Sequence, residues 1–168
     1  DEIEAEVLAD LADPAAWDEP IDVPPSKAPR LGWVARGRHL ELAARFHVLS
    51  ILHRLGAEAS LTNSYRDSVD VTVVQAPGRA ATLDVKTLVG TNTWFVEPFP
   101  ARKNHYVTFV VFPEDAAKNP DTAPDVLVFP SVRLKELLGH ETGGVNVRAL
   151  ARELRITDPW QKLITQAA

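Results

Sequence analysis

The run Ser68-Val69-Asp70-Val71-Thr72-Val73-Val74 alternates strictly, and no other stretch constrains the fold as firmly. Successive side chains of a β-strand point to opposite faces, so Val69, Val71 and Val73 share one face while Asp70 and Thr72 share the other. Gln75-Ala76-Pro77-Gly78-Arg79 comes next, and a Pro-Gly pair is a strong turn signal. A second strand-like run follows, Thr82-Leu83-Asp84-Val85-Lys86-Thr87-Leu88-Val89. In it Asp84 and Lys86 point together to one side, and Leu83, Val85 and Thr87 to the other. The two runs predict a hairpin with one apolar, buried face and an opposite face carrying Asp70, Asp84 and Lys86.

Upstream, Leu40, Ala43, Ala44, Phe46, Val48, Leu49, Ile51, Leu52 and Leu55 recur at helical spacing, which predicts a helix over 37–55. Gly56 is its natural stop. Glu41 falls in the first turns, where a carboxylate suits the macrodipole. The remaining pattern predicts strands over 57–62, 68–75, 80–89, 105–112 and 125–129, with an irregular loop through 104 and another over 113–124. Helices are expected over 131–139, 146–154 and 158–166, with a turn at Gly143-Gly144. The fold class is α/β: a mixed β-sheet flanked by helices.

Two aspartates on adjacent strands beside a lysine are what a Mg²⁺ phosphodiesterase site requires, because carboxylates ligate the ion and the ammonium stabilises charge on phosphate. An acid-x-Lys triplet is expected about once in a chain of this composition. Charged pairs on strand faces are also common as plain solvated surface. The weight therefore falls on the company Asp84 and Lys86 keep: Asp70, the turn and the helix before them.

A helix with an early Glu, a strand with Asp, and a hairpin strand with Asp-x-Lys resembles the core of the PD-(D/E)XK nuclease superfamily, which includes restriction endonucleases and archaeal Holliday-junction resolvases. The resemblance covers residues 37 to about 138 and sets Glu41, Asp70, Asp84 and Lys86 on the motif positions. Trp94 after the motif, the strands at Tyr106–Phe112 and Asp125–Phe129, and Pro130-Ser131 opening a helix are similar to its small bacterial members. Val69 stands where many members carry Pro. The resemblance implies a restriction-endonuclease-like core, a DNA substrate, and Mg²⁺ or Mn²⁺ held by Asp70, Asp84 and the Val85 carbonyl. It further implies that Lys86 orients or helps deprotonate the attacking water, and that Glu41 holds a water of the metal shell or a second ion.

Charge divides the chain. Residues 1–30 hold nine acidic and two basic residues, whereas residues 31–168 hold 14 acidic and 16 basic ones. The net charge of −5 is thus concentrated in an acidic arm with five prolines over 13–30, ahead of a nuclease-like domain over 31–168. Residues 2–12 predict a short amphipathic helix, and the prolines keep the rest of the arm extended. Such an arm is by default a flexible tail. It also suits an interaction arm for a homodimer or partner subunit, or a nucleic-acid mimic lying on a basic face, with Trp17 as anchor.

Arg36 and Arg38 before the helix, and Arg102 and Lys103 in the loop after the motif strand, are candidate phosphate contacts, with Trp94, Phe95 and Phe99 near the latter pair. The bulk composition excludes several classes. No apolar run approaches the ~20 residues of a membrane span, no signal-peptide pattern is present, and a cytoplasmic protein is expected. Without cysteine there are no disulfides or thiolate metal sites. The histidines form no His-Glu-x-x-His pattern and are expected in surface or core packing. The leading expectation is a metal-dependent endonuclease. The alternatives are a catalytically silent nuclease-like binding subunit, and a component of a toxin–antitoxin or defence assembly whose acidic arm binds or inhibits.

Overall fold

The computed structural model of the protein describes residues 33–62, 69–116, 118–140, 143–155 and 159–165. The arm over 1–30, with its expected helix and the Trp17 anchor, lies outside the described residues. The elements run α1 (Trp33–Arg54), β1 (Glu58–Leu61), β2 (Val71–Ala76), β3 (Arg79–Val89), β4 (Thr93–Phe95), β5 (His105–Phe112), β6 (Asp125–Pro130), α2 (Ser131–Leu138), β7 (Gly144–Asn146), α3 (Val147–Glu153) and α4 (Pro159–Thr165). The architecture is α/β, with a mixed five-stranded sheet in the order β1-β2-β3-β5-β6 flanked by helices. No helix among the described residues is long and apolar enough to cross a membrane.

The expected hairpin forms the centre of the sheet. β2 pairs antiparallel with β3 in the register Val71↔Leu83, Thr72↔Thr82, Val73↔Ala81, and the ladder slips between Val74 and Ala76. Pro77 and Gly78 turn the chain, and Gly78 sits at φ 76°, the left-handed conformation a Pro-Gly turn uses. β3 then pairs parallel with β5, from Thr82↔His105 to Val89↔Phe112. A parallel neighbour needs a crossover, and residues 90–104 supply it.

Two apolar cores lie on opposite faces of this sheet. On one, Ala44, Val48 and Leu52 of α1 pack with Val71, Val73, Leu83 and Val85 and with Leu163 of α4. On the other, Val107, Phe109 and Val111 pack with Phe129, Leu134, Leu138, Val147 and Leu150. β5 is buried at every position, as expected of a strand covered on both sides. Each fully buried Val or Leu is worth about 1.5–3 kcal/mol. α3 is capped by Asn146, whose Oδ1 accepts the Ala149 N–H at 3.0 Å.

The structure departs from the sequence pattern in three places. α1 starts at Trp33, well before Gly37. The helix simply continues through the glycine, at a cost of about 1 kcal/mol relative to alanine. Glu41 is therefore two turns inside α1 and gains nothing from the macrodipole. Only the Ala44–Val48–Leu52 stripe of the helix is buried, while Leu42, Phe46 and Leu55 are exposed. The expected loop through 104 contains β4, and the expected Gly143-Gly144 turn instead leads into β7, its antiparallel partner. A Cβ on Gly144 would stand 2.9 Å from Thr93 Cγ2, so glycine permits this pairing.

His105 is the one histidine in the core. Its Nδ1 lies 2.8 Å from Thr82 Oγ1, and Nε2 has no partner. Burial, reinforced by the positive charges of Arg102 and Lys86, pushes its pKa down from 6.5 to about 4. The imidazole is thus neutral in the fold. Because the folded value is depressed, the stability it confers is present above the unfolded pKa of 6.5 and is lost as pH falls toward about 4, to a total of about 3 kcal/mol. Urea unfolding across that window is expected to show this loss in the wild type and a flatter profile in His105→Gln. Parallel profiles would contradict the assignment.

Candidate functional site

The site begins where β3 outruns its antiparallel partner. Pairing with β2 ends at Val71↔Leu83, whereas pairing with β5 continues to Val89. From Asp84 onward β3 thus has a strand on one side and a cleft on the other. Asp70, just before β2, closes the ladder. Its N–H donates to the Leu83 carbonyl at 2.8 Å and its own carbonyl accepts the Thr62 N–H at 2.9 Å. Its carboxylate then replaces the missing strand, with Oδ2 accepting the Val85 N–H at 2.7 Å. The N–H and C=O of one strand residue point to the same edge, so the Val85 carbonyl is directed there too. Arg45 of α1 holds the other oxygen, with Nη2 2.8 Å from Asp70 Oδ1.

Asp84 and Lys86 project from β3 on the side opposite Leu83 and Val85, as the alternation requires. That side is no solvated face. Their register partners on β5 are Val107 and Phe109, which belong to the second core. Asp84 is consequently only 3 % exposed. Lys86 Nζ lies 3.2 Å from Asp84 Oδ2 and 3.4 Å from Glu97 Oε2. The contact with Asp84 is an ion pair, and the buried Oδ2 makes no further polar contact among the described residues.

Burial raises the Asp84 pKa. Lys86 offsets part of this, and repulsion from Asp70 and Glu97 adds to it. For Lys86, burial works against the charge, but the carboxylates of Asp84 and Glu97 outweigh it and hold the amine above its ordinary value. Lys86 is therefore an ammonium at neutral pH. A carboxylate buried this deeply is costly to fold around even when paired, and perturbed groups of this kind concentrate at functional sites.

A cleft of about 420 Å³ opens over these groups. It gathers Glu41, Asp70, Asp84 and Lys86, the four motif positions expected from sequence, and Val85, together with Arg45, Phe95 and Glu97. The expected phosphate contacts are not among its lining. Arg38 is exposed on α1, and Arg102 and Lys103 are exposed in the turn before β5. The side chain of Arg36 lies outside the described residues. Arg102 is pinned through its backbone, exchanging hydrogen bonds with Ser131 Oγ at 3.1 Å in each direction. Sequence reasoning missed Arg45, although it stands four residues after Glu41 and so shares its helix face. It also missed the role of Glu97, for which the sequence carries no local signal.

The donor set suits one kind of ion. Among the described residues no three acidic or imidazole side chains converge as a metal cage. Two carboxylates and a backbone carbonyl, with remaining positions for water, fit Mg²⁺, which dehydrates reluctantly and keeps several waters.

Because the folded pKa of Asp84 is raised, its ionised form destabilises the fold at every pH above that value. Asp84→Asn keeps the shape and removes the charge. Without added metal at about pH 7, the variant is expected to unfold at a higher temperature than the wild type, by about 2–4 °C for each 1 kcal/mol recovered. A lower unfolding temperature would contradict this account of the site.

Comparison with family models, curated proteins and solved structures found no match for this chain.

Proposed function

We propose that this chain is a nuclease of the PD-(D/E)XK kind, a Mg²⁺- or Mn²⁺-dependent hydrolase of phosphodiester bonds in nucleic acid, DNA first. One observation carries the proposal: the buried Asp84 carboxylate shares a cleft with Asp70 and Lys86. A carboxylate so costly to bury is explained by a ligand that needs it, and a divalent cation is the ligand its chemistry fits.

In this reading Asp70, Asp84 and the Val85 carbonyl would hold the ion. When bound, the ion would supply Lewis acidity to the phosphate and lower the pKa of a coordinated water. Asp70 is oriented beforehand by the Val85 N–H and by Arg45. Lys86, kept protonated by Asp84 and Glu97, acts through charge. It orients the attacking water and stabilises the negative charge that builds on phosphate oxygens. Glu41, exposed on the cleft wall, would hold a further water.

The Arg45–Asp70 pair favours a second reading. If Arg45 is a permanent counter-ion for Asp70, the chain is a silent nuclease-like subunit that binds nucleic acid or a partner, with the acidic residues 1–30 available for assembly. Metal affinity separates the two readings. The enzyme is expected to gain thermal stability with Mn²⁺, about 2.7 kcal/mol at a hundred times Kd, and Asp84→Asn is expected to gain none.

Cleavage of plasmid and oligonucleotide substrates should follow the same residues. Activity with Mg²⁺ or Mn²⁺ is expected to vanish with EDTA and in Asp84→Asn. Lys86→Ala is expected to retain the metal-dependent stabilisation and lose ~10²-fold or more in rate, the scale of removing one transition-state stabiliser. Equal cleavage by all three proteins would overturn the nuclease assignment.

A further inference from the structure

The outer wall of the cleft is β4, whose three residues alternate. Trp94 turns inward, is 4 % exposed, and stacks edge-on against Phe109 at 5.0 Å and at a tilt against Phe99 at 5.9 Å. That anchor fixes the strand and obliges its neighbours to turn outward. Phe95 is consequently 74 % exposed, the most exposed large hydrophobic residue among those described. Its register partner is Gly144, and a Cβ there would stand 3.5 Å from Phe95 Cε1. The ring thus rests beside a residue with no side chain. It buries little for folding, yet it lines the cleft that holds Asp84 and Lys86.

The charges lining this cleft restrict what it can take. Glu41, Asp70, Asp84 and Glu97 outnumber Arg45 and Lys86, and both cations are already paired with carboxylates. Among the described residues the cleft offers no row of Lys and Arg of the kind that tracks a duplex. An aromatic face such as that of Phe95 can stack only on a base that is unpaired, a contact open to every base and added by single-strand binders to their phosphate contacts. A cleft of about 420 Å³ lies at the small end of the ligand-pocket range, the scale of one nucleotide.

We propose that the cleft takes one unpaired nucleotide of a single-stranded nucleic acid, its base stacked on Phe95 and its phosphate toward Asp84 and Lys86. This rests on the nuclease reading and adds the substrate class to it. The geometry places a polar, charged end and an aromatic end in one cleft, as a nucleotide requires.

Binding can be measured without turnover, with Ca²⁺ in place of Mg²⁺, by the anisotropy of a short fluorescein-labelled DNA oligonucleotide and of its duplex. The full chain is expected to bind the single strand at least ~10-fold more tightly than the duplex. Phe95→Ala is expected to lose ~5- to 150-fold in single-strand affinity, the range set by removing one stacking aromatic. Its unfolding temperature should not change, since the ring is exposed, and Phe95→Trp should restore binding. Wild-type affinity in Phe95→Ala, or a preference for duplex, would overturn this inference while metal-dependent cleavage lost in Asp84→Asn left the nuclease standing. Loss of self-association in Phe95→Ala with single-strand binding intact would also overturn it, by making Phe95 a contact between copies. Absence of both oligonucleotide binding and Mn²⁺ stabilisation would overturn the two readings together.

Discussion

The hydrogen bond from the Val85 N–H to the Asp70 carboxylate, at 2.7 Å, is the contact on which the candidate site depends. Backbone pairing between β2 and β3 stops two residues earlier, at Leu83, and a β-strand edge with an unpaired N–H is unfavourable inside a fold. Asp70 satisfies that N–H with its side chain and, in doing so, brings a carboxylate beside the edge where the Val85 carbonyl also points. Arg45 on α1 then fixes the carboxylate from the helix side. Had the ladder continued, β2 would have closed the edge and there would be no cleft. The same hairpin that builds the sheet therefore opens the site, through the point at which it ends.

Asp84 shows the energetic consequence. It stands directly across from the strand that carries the second core, so its carboxylate is desolvated by Val107 and its neighbours. Lys86 returns part of the lost solvation as an ion pair, and Glu97 helps hold Lys86 in its charged form. A sequence selected for stability alone would place an apolar residue at 84, because a well-packed apolar group often replaces a buried ion pair at no loss. The resulting local instability is offset elsewhere by two apolar cores and by β5, buried on both faces.

Much of this was legible in the chain. The period-two alternation of Val69 to Val73 and of Leu83 to Lys86 set the hairpin and placed Asp84 and Lys86 together on one face, because strand side chains have only two directions to take. The run His105–Phe112 marked a strand, β5. Non-local facts were not legible. β4 and β7 are three residues each, too short to show a period, and exist only because they pair with one another across about fifty residues of chain. That the Asp84 face would be buried depended on β5 as its parallel neighbour, which no local pattern reveals. Gly37 was misleading in the other direction, since helix propagation overrode its local preference. Glu97 reaches Lys86 through the crossover, and the ladder's end at Asp70 is a property of pairing, not of any one residue.

The central claim is that Asp70, Asp84 and the Val85 carbonyl converge on one divalent ion at the open edge of β3. Paramagnetic broadening by Mn²⁺ tests it most directly. In amide spectra of the ¹⁵N-labelled full chain, substoichiometric Mn²⁺ is expected to broaden the signals of Asp70, Asp84, Val85 and Lys86 first. Signals from Gly78 and Arg79, at the turn that forms the opposite end of β3, should survive, and Asp84→Asn should abolish the pattern. Broadening centred elsewhere, or a pattern unchanged in Asp84→Asn, would contradict the claim.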